Sequence, residues 1–170
     1  LYAQTYQDFE IILCEDGSKD NTYEIALENQ KQHNNIVLLR NPHNMGLNQT
    51  LNNCLAVAKG EYIARMDGDD LCDPTRFEKQ VKFLDEHLEY AIVSNPMFYF
   101  DENGIFGRGR AKEGEVSKNV FNYGTPFCHA PCMVRKEAYD KVGGYTVDKR
   151  LLRVEDYELW VKMYAAGYKG

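Results

Sequence analysis

Apolar residues in the first half of the chain fall into short runs separated by longer segments of helical character. The runs 9–14, 36–39 and 62–66 are compact and lead into turn-forming or acidic residues, which is typical of buried strands. The segment 47–58 carries apolar residues three or four positions apart, and the segment 21–32 follows residues that can cap a helix. Strands that alternate with helices predict an α/β fold with a doubly wound, mainly parallel sheet and flanking helices.

The second half of the chain predicts further elements with looser spacing. They are a helix over 74–86, an extended segment over 91–100 followed by the turn Asn103-Gly104, a loop over 107–115, a strand over 128–134, and helices over 135–142 and 155–166. The apolar side of the last helix carries Leu159, Trp160 and Met163. Since neither an internal repeat nor a linker is visible, residues 1–170 are predicted to form one domain.

Composition narrows the possible function classes. The formal net charge of −6 argues against a nucleic-acid-binding protein, because such proteins carry basic surfaces. No stretch approaches the roughly 18 uninterrupted apolar residues of a membrane span. The five cysteines are odd in number, and Cys14, Cys54 and Cys72 are scattered along the chain. This pattern favours a reducing, cytoplasmic setting over a disulfide framework.

The densest chemical signal is an acidic cluster, Asp67-Gly68-Asp69-Asp70, at the end of an apolar run. Neighbouring carboxylates repel one another unless a cation or water stabilises them. Mg²⁺ and Mn²⁺ prefer oxygen ligands and are commonly held by one or two carboxylates together with substrate phosphates. A calcium loop of the helix-loop-helix type is excluded, because Leu71 and Cys72 occupy positions that require an oxygen ligand and a glycine. A solvated turn that caps the next helix is the alternative.

A second acidic pair, Glu15-Asp16, also follows a predicted strand directly. In doubly wound sheets, ligands bind beyond the carboxyl ends of the strands. The two acidic clusters are therefore expected on the same edge of one sheet. By itself, the stretch Glu15-Asp16-Gly17-Ser18 is equally compatible with a helix-capping turn or with a carboxylate that contacts a nucleotide base or ribose.

Two further stretches leave alternatives open. Glu155 and Asp156 open the last helix, where carboxylates are favoured by the helix dipole, but one of them could instead serve as a general base. The stretch Cys128-His129-x-x-Cys132 offers three metal-ligating side chains. A structural zinc site needs a fourth ligand and no second pair stands at a suggestive distance, so buried thiols are favoured.

The order of the motifs resembles that of the family-2 inverting glycosyltransferases with the A-type glycosyltransferase fold. The motifs are Gln4-Thr5-Tyr6-x-Asp8-Phe9-Glu10-Ile11-Ile12, Glu15-Asp16-Gly17-Ser18-x-Asp20-Asn21-Thr22, Asn44-x-Gly46, Gly60-Glu61-Tyr62-Ile63-Ala64-Arg65-Met66-Asp67-Gly68-Asp69-Asp70, Gly143-Gly144-Tyr145 and Glu155-Asp156-Tyr157-x-Leu159-Trp160. They cover nearly the whole chain and are specific for the family, but they do not identify the transferred sugar.

The resemblance implies a nucleotide-sugar donor, with a UDP-sugar as the default, and a divalent cofactor, Mg²⁺ or Mn²⁺. Asp16, with Glu15 beside it, would hold the base or ribose. Asp67 and Asp69 match the family's Asp-x-Asp motif, in which Asp69 would be the direct metal ligand and Asp67 would contact the ribose or the metal.

On the acceptor side, the resemblance implies that Asp156 is the general base and that His129 lies near the donor diphosphate or the acceptor. The acceptor would be a saccharide or a lipid-linked sugar in the synthesis of a cell-surface polysaccharide. The enzyme would be cytoplasmic, with peripheral association at the inner membrane face as a further possibility. The oligomeric state is not implied.

Two departures from the family pattern affect these expectations. The family usually has Asp at the position of Glu15. The residues that match the family's first strand and its C-terminal acceptor-binding segment are absent from 1–170, so the domain is expected to lack both. A nucleotidyltransferase acting on sugar phosphates and a non-catalytic nucleotide-binding homologue are the alternative functions. A glycine-rich phosphate loop, which the former usually carries, is not visible.

Overall fold

A computed structural model of the chain describes residues 1–109, 113–151 and 153–170. Strands and helices alternate over residues 11–93, which confirms the α/β class predicted from the sequence. The elements are β1 (Ile11–Glu15), α1 (Thr22–Gln32), β2 (Ile36–Arg40), α2 (Leu47–Val57), β3 (Tyr62–Ala64), α3 (Arg76–Glu86), β4 (Ile92–Val93), β5 (Phe98–Asp101), β6 (Gly104–Arg108), β7 (Met133–Arg135), α4 (Lys136–Val142) and α5 (Glu155–Ala165).

The strands pair in three groups. β1 and β2 are parallel, with Ile11 opposite Ile36. β7 lies between β3 and β4 and is antiparallel to both, so that Ala64 and Val93 lie opposite Met133. β5 and β6 form an antiparallel hairpin around the predicted Asn103-Gly104 turn. The parallel pair is connected through a helix, whereas β7 arrives after the long segment 94–132, which allows an antiparallel approach.

A cavity of about 800 Å³ separates the β1–β2 pair from the β3–β7–β4 group. Within the described ranges, β1 pairs only with β2, and β3 pairs only with β7. Apolar side chains of both strands and of the two neighbouring helices line the cavity, among them Ile12, Leu55, Ile63 and Val81. The sheet is therefore interrupted between two strands whose facing edges carry no partner in this part of the chain.

The main core lies where α5 packs against β7 and α4. Leu159, Trp160 and Met163 are fully buried, which confirms the apolar side predicted for the last helix, and they share this core with Val134. The N-terminus of α5 is thereby held in a fixed position relative to the β7 strand. No helix in the described ranges combines the length and apolar character that crossing a bilayer requires.

Three predicted boundaries are wrong. The segment 91–100 is not continuous but contributes β4 and β5 to different groups of strands, because Pro96 between them has no N–H to donate to a sheet. The predicted strand 128–134 is extended only from Met133, after Pro131. The predicted loop 107–115 begins too early, since Gly107 and Arg108 complete β6; its residues 110–112 lie outside the described ranges.

Candidate active site

The carboxylate of Asp16, directly after β1, holds the loop that leads into α2. It accepts hydrogen bonds from the N–H groups of Met45 (2.7 Å) and Gly46 (3.0 Å) and from the side-chain amide of Asn41 (2.8 Å). Burial opposes ionisation, but these hydrogen bonds outweigh it and lower the pKa of Asp16 below its ordinary value. The side chain of Thr50 in α2 adds a further hydrogen bond that lowers this pKa, so the ionised Asp16 is held firmly by the loop and by the start of α2.

Glu15 has a different environment from its neighbour. Its side chain is buried, and its oxygens accept from the N–H of Ser18 and from the guanidinium Nε of Arg40, at 3.2 Å. The Ser18 hydrogen bond is the main cause that lowers the pKa of Glu15. The turn also requires Gly17, whose φ is +82° and whose Cβ, if present, would lie 2.7 Å from the backbone nitrogen of Asn44. Glu15 thus fixes the turn that presents Asp16.

Asp67, the first carboxylate of the acidic cluster after β3, forms a bidentate ion pair with Arg65. Nη1 of Arg65 lies 2.8 Å from Oδ2 of Asp67, and Nη2 lies 2.6 Å from Oδ1. The Arg65 side chain is only 10% exposed, whereas that of Asp67 is 44% exposed. One side of the Asp67 carboxylate is therefore held from within the protein while the other remains accessible.

The two following carboxylates are less constrained. Asp69 is exposed, and no hydrogen bond or ion pair of its carboxylate occurs in the described part of the structure. Burial, followed by the negative charges of Asp67 and Asp69, raises the pKa of Asp70. In the same ranges, no three His, Cys, Asp or Glu side chains converge to hold a metal by themselves. The exposed Asp69 carboxylate nevertheless fits a Mg²⁺ or Mn²⁺ ion that takes its remaining ligands from water and substrate phosphates, with Asp67 two residues away.

Asp156 lies in the first turn of α5 and is partly buried. Its Oδ1 accepts a hydrogen bond from the N–H of Tyr157 at 2.7 Å. Burial raises its pKa, the charge of Glu155 adds to this increase, and the cation of Arg65 opposes it. A carboxylate with a raised pKa is a stronger proton acceptor than an ordinary aspartate, so the environment of Asp156 suits general-base chemistry.

His129 contacts a tyrosine that sequence reasoning assigned no role. Its Nε2 lies 2.8 Å from the hydroxyl oxygen of Tyr145. Burial, reinforced by the nearby cation of Arg65, lowers the pKa of His129 to about 3. The imidazole is therefore neutral at neutral pH and acts as a hydrogen-bonding group. Of the adjacent cysteines, Cys132 is buried, and its thiol donates to the carbonyl of Cys128 at 2.8 Å.

Arg65 links these side chains into one neighbourhood. Besides its ion pair with Asp67, it acts electrostatically on His129 and Asp156, which come from two other segments of the chain. The structure thus brings together the end of β3, the turn before β7 and the start of α5. Asp16 lies with the loop before α2, and no contact joins it to this group within the described ranges. Sequence reasoning assigned no role to Arg65. The signal that could have identified it is a cation two residues before an aspartate, at the end of an apolar run.

Sequence comparisons identify related proteins. The sequence model described as Glycosyl transferase family 2 matches residues 1–143. EpsE of Bacillus subtilis (strain 168), which carries the name of a glycosyltransferase, is 41% identical over 100% of this chain and 61% of its own length. The Escherichia coli UDP-Glc:alpha-D-GlcNAc-diphosphoundecaprenol beta-1,3-glucosyltransferase WfaP is 28% identical over 98% of this chain and 63% of its own length. The chain spans about three fifths of the length of these curated relatives.

Comparison with solved structures agrees on the fold. The mannosyltransferase PcManGT from Pyrobaculum calidifontis, solved in complex with GDP-Man and Mn²⁺, superposes with a TM-score of 0.73 at 20% sequence identity. The match covers 99% of this chain and 47% of that protein. The architecture is therefore the A-type glycosyltransferase fold.

Proposed function

The chain belongs to glycosyl transferase family 2, and from this premise we propose that the whole protein transfers a sugar from a nucleoside-diphosphate sugar to an acceptor hydroxyl group. Transfer is proposed to invert the anomeric centre and to depend on Mg²⁺ or Mn²⁺. The observation that carries this proposal is that the Arg65 cation pairs with Asp67 and also acts electrostatically on Asp156, because this relates a carboxylate for the donor to a carboxylate of raised pKa for the acceptor.

The donor is proposed to be a UDP-sugar. The name of WfaP, a relative over nearly the whole chain, specifies UDP-Glc. Asp67 retains acceptor positions beside its ion pair with Arg65, as recognition of ribose hydroxyls requires, and Asp16 is proposed to contact the base or ribose as an ionised carboxylate at the end of β1. Glu15 is proposed to act indirectly, since one of its oxygens holds the turn after Asp16 and the other pairs with Arg40 on β2.

The divalent ion is proposed to bind Asp69, with Asp67 nearby, and to be shared with the donor diphosphate. When bound, it would supply Lewis acidity that stabilises negative charge on the departing nucleoside diphosphate. The complex of PcManGT with GDP-Man and Mn²⁺ supports divalent-metal use in this fold. The neutral His129 is proposed to hydrogen-bond near the donor diphosphate, oriented by its contact with Tyr145.

In the proposed chemical step, Asp156 accepts the proton of the acceptor hydroxyl while the hydroxyl oxygen forms a bond to the anomeric carbon. The bond from that carbon to the diphosphate oxygen breaks, and its electron pair leaves with the nucleoside diphosphate. A single displacement of this kind inverts the anomeric centre. The pKa of Asp156, raised by burial, favours its role as proton acceptor, a role typically worth 10²–10⁴-fold in rate.

The biological setting is proposed to be the synthesis of a cell-surface polysaccharide on a saccharide or lipid-linked acceptor. The name of WfaP, which includes a diphosphoundecaprenol-linked sugar, supports such an acceptor. The protein is accordingly proposed to act in the cytoplasm, with peripheral association at the inner membrane face where a lipid-linked acceptor would be presented.

We also propose that residues 1–170 are one catalytic domain whose sheet is completed by a further strand of the same polypeptide. The cavity lies between β1 and β3, each of which has one strand edge without a partner in the described ranges, and apolar side chains of both strands line it. An unpaired, apolar strand edge is unfavourable in water.

The test of the function uses the full-length protein with Mn²⁺ and separate UDP-Glc, UDP-GlcNAc and GDP-Man donors, with a prenyl-diphosphate-linked GlcNAc as acceptor. Release of the nucleoside diphosphate together with an elongated acceptor supports the proposal. Conversion that consumes or forms pyrophosphate would indicate a nucleotidyltransferase, which the family match does not favour. Tight nucleotide binding combined with no turnover of all three donors would indicate a non-catalytic homologue.

A further inference from the structure

We propose that Arg65 is a positioning residue that fixes the orientation of the Asp67 carboxylate in the turn after β3. The inference adds Arg65 to the site and rests on the proposed function for its ligand arms. The coupling between Arg65 and Asp67 does not depend on that function, because a measurement without ligand can test it.

The first support is the geometry of the clamp. Both terminal nitrogens of Arg65 donate to the two oxygens of Asp67, at 2.8 and 2.6 Å, an arrangement that fixes the plane of the carboxylate as well as its position. A lysine could not reproduce it, because an ammonium is a point charge without the planar fork of a guanidinium. Asp67 is therefore held in one orientation before any ligand arrives.

The second support is that Arg65 is itself firmly held. Its side chain is nine-tenths buried. Its main-chain N–H donates to the carbonyl of Cys132 (3.0 Å), and its own carbonyl accepts from the guanidinium of Arg76 (2.8 Å). Arg76 also donates to the carbonyl of Cys132 (3.2 Å), so that the end of β3 is tied to the residue that precedes β7. Because these hydrogen bonds hold the main chain of Arg65, its guanidinium can hold Asp67 in a fixed position.

The third support is the distribution of charge. A divalent cation bound to Asp67 would lie close to the Arg65 guanidinium, and like charges repel strongly where water is partly excluded. Asp69 is exposed, and no cation pairs with it in the part of the chain that the structure describes. With two acceptor positions of Asp67 engaged by Arg65 and about two remaining, the free positions suit neutral hydroxyl donors such as those of a ribose.

A purely structural role for Arg65 predicts different behaviour, since loss of a buried arginine would then lower stability and binding regardless of Asp67. The two roles separate in a double-mutant cycle, because residues that act through one contact give non-additive effects. The variants are Arg65→Met, Arg65→Lys, Asp67→Asn and the two double variants of the full-length protein, with Arg108→Met on the exposed β6 edge as a matched control.

The binding arm measures UDP and GDP affinity by calorimetry, with and without Mn²⁺. Arg65→Met is expected to weaken binding of the preferred nucleotide about tenfold without Mn²⁺, and in the Asp67→Asn background to weaken it less than twofold further. The factor by which Mn²⁺ strengthens binding is expected to persist in Arg65→Met, because Asp69 is intact. Arg65→Lys keeps the charge and is expected to lie nearer to Arg65→Met than to the parent protein. Arg108→Met is expected to match the parent.

The stability arm measures urea unfolding of the same variants without ligand. The destabilisation by Arg65→Met is expected to shrink when Asp67 is already Asn, whatever nucleotide the protein prefers. Additive effects of the two substitutions on unfolding or on binding would overturn the proposal. So would loss of the Mn²⁺ enhancement in Arg65→Met. Failure of the parent protein to bind either nucleotide would count against the proposed function, whereas the unfolding cycle would still decide whether Arg65 fixes Asp67.

Discussion

The imidazole Nε2 of His129 lies 2.8 Å from the hydroxyl oxygen of Tyr145, and the backbone of Tyr145 is itself clamped by Asn52. The amide of Asn52 donates to the Tyr145 carbonyl and accepts from the Tyr145 N–H, both at 2.8 Å. The middle of α2 therefore positions the tyrosine that orients His129. These contacts connect α2 to the turn before β7. They depend on the close approach of the Gly143-Gly144 turn to α2.

Substitution of Gly144 should test that approach. Both Gly143 and Gly144 have φ near +70°, but a Cβ at Gly144 would lie 2.5 Å from Oδ1 of Asn52, whereas one at Gly143 meets nothing within 4 Å. Gly143→Ala should therefore cost only backbone strain, of about 1–2 kcal/mol. Gly144→Ala should cost more, because Asn52 must also move. Urea unfolding of both variants measures the difference, and equal losses would show that the Asn52 contact contributes nothing.

Asp156→Asn in the full-length protein should lower kcat about 10²–10⁴-fold, because the amide cannot accept the acceptor proton. Donor affinity should stay within about twofold, since the general base acts on the acceptor side. Initial rates of nucleoside diphosphate release, with donor Kd from calorimetry, measure the two effects. Asp140→Asn on the exposed surface of α4 provides the matched control. Unchanged turnover in Asp156→Asn would exclude this residue as the base.

The neutral state of His129 predicts a specific dependence of stability on pH. Its pKa is about 6.5 in the unfolded chain and is lowered to about 3 in the folded protein by burial and by Arg65. Between these values the unfolded chain binds a proton that the folded protein does not, so stability falls as pH decreases below about 6.5. The loss is up to about 1.4 kcal/mol per pH unit.

The measurement is urea unfolding of the parent and of His129→Gln at pH 7 and pH 5. Gln cannot titrate, and its amide can still pair with the Tyr145 hydroxyl, so the variant should lose less stability than the parent over this interval. Parallel losses in the two proteins would mean that His129 titrates normally in the folded state.

Removal of the Asp16 carboxylate should lower the stability of the fold, whereas removal of the Asp69 carboxylate should lower metal-dependent nucleotide binding. Asp16→Ala releases the N–H groups of Met45 and Gly46 and should cost about 1.5–3 kcal/mol of stability, the range for hydrogen bonds to a charged group. Asp69→Ala should change stability by less than about 0.5 kcal/mol, because the side chain is exposed. It should instead abolish the Mn²⁺ enhancement of nucleotide binding. Thermal unfolding and calorimetry on both variants check the pair, and an enhancement that survives in Asp69→Ala would remove its metal role.

The cavity between β1 and β3 predicts a difference between the 170-residue chain and a longer chain of the same protein. Amides of these two strands should exchange with deuterium faster in the 170-residue chain, because one edge of each strand has no partner within the described ranges. Amides of β7, which is paired on both sides, provide the internal control. Equal exchange of β1 and β3 amides in the two chains would contradict the proposed additional strand.

Most helices and strands, and the segments that carry the candidate chemistry, could be predicted from the order of residues alone. Apolar spacing predicted α5 and its buried Leu159, Trp160 and Met163, because periodicity follows directly from backbone geometry. The alternation of elements predicted the α/β fold, and the carboxylates after β1 and β3 marked its candidate site. The segment 91–100 was predicted to be continuous, but Pro96 divides it. The sequence pattern did not indicate that its two pieces, β4 and β5, would join different partners.

The partners of each charged group became apparent only from the folded arrangement. Adjacent in sequence, Glu15 and Asp16 look equivalent, yet Arg40 and the Ser18 N–H occupy the first while the loop before α2 engages the second. Burial beside Arg65, which no local pattern reports, sets the neutral state of His129. Ion pairing and desolvation act over a few ångströms between residues far apart in sequence, so spacing along the chain specifies the groups, and folding assigns their partners.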